Sequence, residues 1–132
     1  MPLPANFTGH VFAYQMFHVR TEGLPEFCEV AASLLAASKL DTGRVRVDLH
    51  RELPWAQTIS NDNFSLFLMV QEWETPQDLE AHVVSAHAGR FSQALPRLLV
   101  VEPSVSIFGE PLGTSDLASL SAQATAEAAH TE

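Results

Sequence analysis

Cysteine is nearly absent from this chain. Cys28 is the single one in 132 residues, so no intramolecular disulfide can form and nothing marks an oxidising compartment. Basic residues are also scarce, 7 against 16 acidic, for a formal net charge of −9. Such a chain has no basic patch for nucleic acid or an anionic membrane to meet, and neither is expected as a partner. Arg44, Arg46 and Arg51 do cluster, but Asp48 and Glu52 are interleaved with them, as on a solvated strand face. No apolar run approaches the roughly 18 residues of a membrane-spanning helix. The start, Met1 to Asn6, has neither the basic nor the apolar region of a secretory signal. A cytoplasmic protein is the expectation. A Gly-rich phosphate loop, a serine nucleophile elbow and a Cys-x-x-Cys pair are missing too. Nucleotide, hydrolase and disulfide-redox chemistry therefore find no support.

What is present suits one ordinary globular domain, at 46% hydrophobic and 17% charged residues. Residues 1–9 read as a Pro-containing lead-in. His10 to Arg20, rich in aromatic and β-branched residues, reads as a first strand, apolar on both faces except at Gln15. Pro25 then opens a helix whose apolar stripe is Leu24, Phe27, Val30, Ala31, Leu34 and Leu35, stopped by Asp41-Thr42-Gly43. Cys28 flanks that stripe and reads as a small packing residue. Arg44 to Glu52 alternates Val45, Val47 and Leu49 against Arg46, Asp48 and His50, a strand with one buried face.

Residues 53–63 read as a connection, with Trp55 and Ile59 poised to cover a cavity or meet a partner chain. Phe64 to Trp73 is the most apolar strand. Thr75-Pro76-Gln77-Asp78 has the chemistry of a helix start: an N-cap hydroxyl, proline at the first helical position and an acid at the third. The helix that follows carries His82 and His87 and sets Leu79, Val83 and Ala86 inward. A further helical segment spans Ala88 to Leu99, with Phe91 inward and Pro96 shortening it. Val100 to Phe108 reads as a last strand, placed at an edge or bulge by Pro103. Residues 113–132 read as an Ala/Ser/Thr-rich tail, disordered or a frayed helix.

The order strand, helix, strand, strand, helix, strand is that of an α+β, ferredoxin-like βαββαβ domain over about residues 10–112, with both helices on one face of an antiparallel sheet. The other face, assigned Val45, Val47, Leu49, Phe64, Leu66, Leu68 and Val70, then exposes more apolar surface than a lone chain tolerates. A homodimer packed through that open sheet face is the expectation.

Gly43 to Arg51, Gln71-Glu72-Trp73-Glu74, Leu79-Glu80-Ala81-His82 and Ser85-Ala86-His87 resemble the antibiotic biosynthesis monooxygenase family, over roughly residues 10 to 110. The resemblance implies a dimeric α+β barrel and a monooxygenase that needs no cofactor and acts on a small aromatic or quinol-like substrate. The alternative it admits is a non-catalytic dimeric small-molecule-binding protein, and after that a haem-binding or haem-degrading one. The haem branch relies on an asparagine in the first strand. None occurs in His10 to Arg20, which leaves His82 or His87 as the only support for iron ligation.

Cofactor-free oxygenation needs an apolar pocket and a base, because the substrate's own anion reduces oxygen. Trp73, His87, His82 and Tyr14 are the catalytic candidates; Met16, Phe67, Met69, Phe91 and His50 are the substrate-binding ones. His18 is a further possible base. The plainer readings stand beside these. Trp73 is a core ring as readily as a pocket wall. His87, near the helix end, can serve free carbonyls there. His82 and His87 lie five apart, off the i, i+4 spacing of a helical metal pair, so no metal ligands are assigned.

Overall fold

The computed structural model describes Phe7, residues 9–53, Trp55 and residues 60–131. Most of the expected lead-in, and Ile59, lie outside the described residues. Strand β1 (Val11–Arg20) runs through a short 3₁₀ turn (Thr21–Gly23) into helix α1 (Leu24–Ser38). Strands β2 (Arg44–Arg51) and β3 (Phe64–Trp73) follow, then helices α2 (Pro76–Val83) and α3 (Ala86–Leu98), strand β4 (Ser104–Phe108) and helix α4 (Thr114–Thr131). The sheet is antiparallel throughout, in the order β2-β3-β1-β4. This is the ferredoxin-like α+β arrangement that the element order implied.

Register decides which residues share a face. Val11 pairs with Trp73, Ala13 with Gln71, Gln15 with Met69 and Phe17 with Phe67, and Val11, Ala13, Phe17, Phe67, Met69 and Trp73 join the buried core with Phe27, Leu79 and Phe91 of the helices. Val47 lies opposite Gln71 and Leu49 opposite Met69, so both face the helices. The assignment of Val47 and Leu49 to the open face is thus overturned. Alternation shows that a strand has two faces, but only its pairing tells which is covered. Val45, at the irregularity between Arg44 and Arg46, is 41% exposed. The open face carries Phe64, Leu66, Leu68 and Val70 of β3, as expected, and with them, in place of Val47 and Leu49, the residues Phe12, Tyr14, Met16, His18 and Phe108.

Other expectations need adjusting. Cys28 is exposed. The last strand is shorter than read: Val100 N–H donates to the His18 carbonyl, but the β4 ladder begins only beyond Pro103, at Ser104. Pro96 sits in the final turn of α3, which ends two residues later at Leu98. Residues 114–131 form a helix exposed along its described length. Trp55 is 82% exposed, so of its two expected roles the covering of a cavity within this chain falls away.

Candidate functional site

The site begins with a break between two helices. Thr75 caps α2 as its sequence suggests: its Oγ1 accepts the Asp78 N–H at 3.1 Å and donates to Asp78 Oδ2 at 2.8 Å. Gly43, at φ +74, turns the chain into β2, and its carbonyl takes the Glu74 N–H at 2.8 Å. After only eight residues α2 stops at Val84, and Ser85 caps a new helix, its Oγ accepting the Ala88 N–H at 3.2 Å and donating to the His82 carbonyl at 2.6 Å. The single helix read from the sequence is therefore two. His82 lies in the last turn of α2 and His87 in the first turn of α3. The buried face of α2 is Pro76, Leu79 and His82, while Val83 is 61% exposed.

That break brings the two histidines together, which one continuous helix would not. Asp41 Oδ2 accepts from His82 Nδ1 at 2.7 Å and from His87 Nε2 at 2.8 Å. The rings stand 5.5 Å apart, and Trp73 packs on His82 at 4.7 Å with an interplanar angle of 35°. The His82 side chain is 3% exposed; those of Asp41 and His87 are each 17% exposed. Burial pushes the Asp41 carboxyl up, but the hydrogen bonds from His82 and His87, and then their charges, outweigh it and hold the group below the ordinary carboxylate range. His87 does not serve carbonyls at a helix end, since it opens α3.

Beside this cluster lies a cavity of about 120 Å³ between sheet and helices, lined by Gln15, Gln71, Leu79, His82 and Phe91 among others. A relay of polar groups runs along its floor. Trp73 Nε1–H donates to Gln71 Oε1 at 2.9 Å, and Gln71 Nε2 donates to Gln15 Oε1 at 3.2 Å. The fully buried indole is thus both core and the anchor that orients Gln71.

Of the sequence candidates, Trp73, His82 and His87 meet here, and Phe91 lines the cavity. Phe67 and Met69 lie in the core on the same side of the sheet. Tyr14, Met16 and His50 do not join them. Tyr14 pairs with Val70, while Met16 and His50 both pair with Leu68, all on the far side of the sheet. The odd-numbered β1 and β3 residues face the helices, so an even-numbered residue cannot. Tyr14 lines a wide cleft of about 510 Å³ with Phe12, Phe108 and Leu112. His18 lies on that open face too, its ring 5.2 Å from Phe64.

Sequence reasoning missed Asp41, taken for a helix stop, and gave Gln15 and Gln71 no role. Polar residues on strands otherwise apolar were the available signal for the two glutamines.

The family model described as antibiotic biosynthesis monooxygenase matches residues 10–94. No curated protein matches the chain. Solved structures share its fold. A conserved protein from Methanosarcina mazei Go1 superposes with a TM-score of 0.68 at 20% identity, covering 79% of this chain and 95% of that one. A candidate antibiotic biosynthesis monooxygenase from Nitrosomonas europaea gives 0.66 at 21%, covering 81% and 98%. Rv0793 from Mycobacterium tuberculosis gives 0.65 at 16%, covering 80% and 99%.

Proposed function

This chain belongs to the antibiotic biosynthesis monooxygenase family, and on that premise we propose that it is a homodimeric oxygenase which needs no bound cofactor and acts on a single-ring quinol or related phenol. The observation that carries the reading is a buried imidazole held by a carboxylate at the wall of a ring-sized cavity. Asp41 fixes His82 through Nδ1, which leaves Nε2 as the nitrogen to take a proton from a bound hydroxyl. Gln71 and Gln15 supply amide groups to orient the substrate oxygen, and Phe91 and Leu79 supply apolar wall. The cavity volume suits one ring better than fused rings.

The chemistry balances without an external reductant. Deprotonated quinol donates electrons to oxygen, a carbon–oxygen bond forms on the ring, and loss of water leaves a hydroxyquinone. One oxygen atom enters the product, the other leaves as water, and both hydrogens of that water come from the substrate. Asp41 acts here as a positioning residue.

The dimer rests on the open face. Phe108 is 55% exposed, Phe12, Tyr14, Met16 and Leu68 are only half-buried, and His18 Nδ1 is buried there without a partner. A second sheet packed on this face would cover all of them.

Oxygen uptake by the untagged protein, with single-ring hydroquinones, excess chelator and ¹⁸O₂, tests the reading. One labelled oxygen per product and one oxygen molecule per quinol are expected. Ligand-induced stabilisation without uptake would select a non-catalytic binding protein instead.

A further inference from the structure

We infer that Asp41, His82 and His87 form a binding site for a first-row divalent transition cation, with Zn²⁺ as the test ion. One ligand atom from each of Asp41, His82 and His87 lies within 4.8 Å of the other two. They come from three separate segments: the α1–β2 turn, the end of α2 and the start of α3. Each nitrogen already sits 2.7 or 2.8 Å from the shared oxygen. A tetrahedral ion with ligand bonds of about 2.0–2.2 Å holds its ligands roughly 3.3–3.5 Å apart. Seating one requires Oδ2 to withdraw from each nitrogen by well under 1 Å and the two nitrogens, at most 4.8 Å apart, to approach by up to about 1.5 Å, both side-chain adjustments.

The donor set decides the class of ion. Two imidazole nitrogens and one carboxylate oxygen suit Zn²⁺, Co²⁺ or Ni²⁺, whereas Mg²⁺ and Ca²⁺ prefer oxygen ligands throughout. No Lys or Arg pairs with Asp41 among the described residues; its ion-pair partners are the two histidines. Asp41 follows the C-terminus of α1 and His82 occupies the last turn of α2, so the negative ends of two helix dipoles lie at the cluster, against the positive end of α3 where His87 sits. An approach exists as well, because His87 lines a groove of about 250 Å³ with Glu29, Ser33 and Arg90. That groove leaves the ion's fourth position to water.

Without the ion, the two ring N–H groups donate to Asp41. With it, those nitrogens present lone pairs, and the ring protons sit on His82 Nε2 and His87 Nδ1. A cation here therefore blocks the base assigned above, although the site stands independently of that reading.

The test is titration of the untagged, chelator-stripped chain with Zn²⁺ by calorimetry and with Co²⁺ by visible absorption, on wild type, His87→Gln and Asp41→Asn. One ion per chain is expected, with intense four- or five-coordinate cobalt bands. Each variant should weaken binding at least 100-fold while retaining its circular dichroism. Should Asp41→Asn fail to fold, X-ray absorption of the wild-type Zn²⁺ form still decides: two imidazoles and an oxygen shell support the site. Wild-type affinity weaker than millimolar, unchanged affinity in His87→Gln, or a zinc shell without two imidazoles would each overturn it.

Discussion

Replacing Asp41 with alanine removes the one acceptor that two imidazoles share. Hydrogen bonds to a charged group contribute about 1.5–3 kcal/mol each, and a buried donor left unpaired costs about 1–3 kcal/mol. His82 is 3% exposed and cannot turn to water, whereas His87, at 17%, recovers part of its loss by hydration. A net cost of about 3 kcal/mol follows. Unfolding entropy of about 2.1 cal/mol/K per residue puts this at roughly 10 °C of melting temperature for a chain of this length. The assay is thermal and urea denaturation of Asp41→Ala, His82→Ala and the double variant, with chelator present so that no ion contributes. The two substitutions should couple by about 1.5 kcal/mol or more. The pH dependence has a definite sign. The folded Asp41 carboxyl lies below its unfolded value, so its contribution is complete above the ordinary carboxylate range and is lost as pH falls through the folded value. Wild type and Asp41→Ala should therefore converge in strong acid. A loss under about 1 kcal/mol, or additivity within about 0.5 kcal/mol, would refute the shared-acceptor geometry.

Three further outcomes can be checked. Trp73→Ala should lose about 3–5 kcal/mol, because its side chain is fully buried, so low activity in that variant would report unfolding and not chemistry; a urea melt decides. His10 is raised above its ordinary value by its hydrogen bond to Glu72, opposed in part by desolvation. That contact stabilises fully below the ordinary imidazole value and is lost as pH rises through the raised one, and His10→Gln should flatten this segment of the stability profile. Deleting residues 114–131 should move the melting temperature by less than about 2 °C, because the described α4 side chains are exposed. A large loss would mean that α4 docks on a second copy.

The elements with strong local signals could be read directly from the residues. β3 runs from Phe64 to Trp73 as its alternation indicated, and Thr75, Pro76 and Asp78 start α2 as their cap chemistry required. The pairing of the two histidines could not be read, because it depends on a helix break. The clue was Val84 followed by Ser85, a β-branched residue and then a strong N-cap former. Once the helix is taken as continuous, a five-residue spacing separates the rings and the metal reading falls with it. Asp41 was invisible for a different reason: its partners are 41 and 46 residues away. Alternation cannot say which side of a sheet the helices cover, and that single ambiguity misplaced Tyr14, Met16 and His50 together.

The most direct test of His82 as the base is kcat for oxygen uptake on a single-ring hydroquinone, compared between wild type and His82→Gln at matched folded fraction and with chelator present. General-base catalysis is worth about 10²–10⁴-fold, so the variant should fall by at least 100-fold with its fold retained. A His82→Gln protein that turns over at the wild-type rate would contradict the assignment.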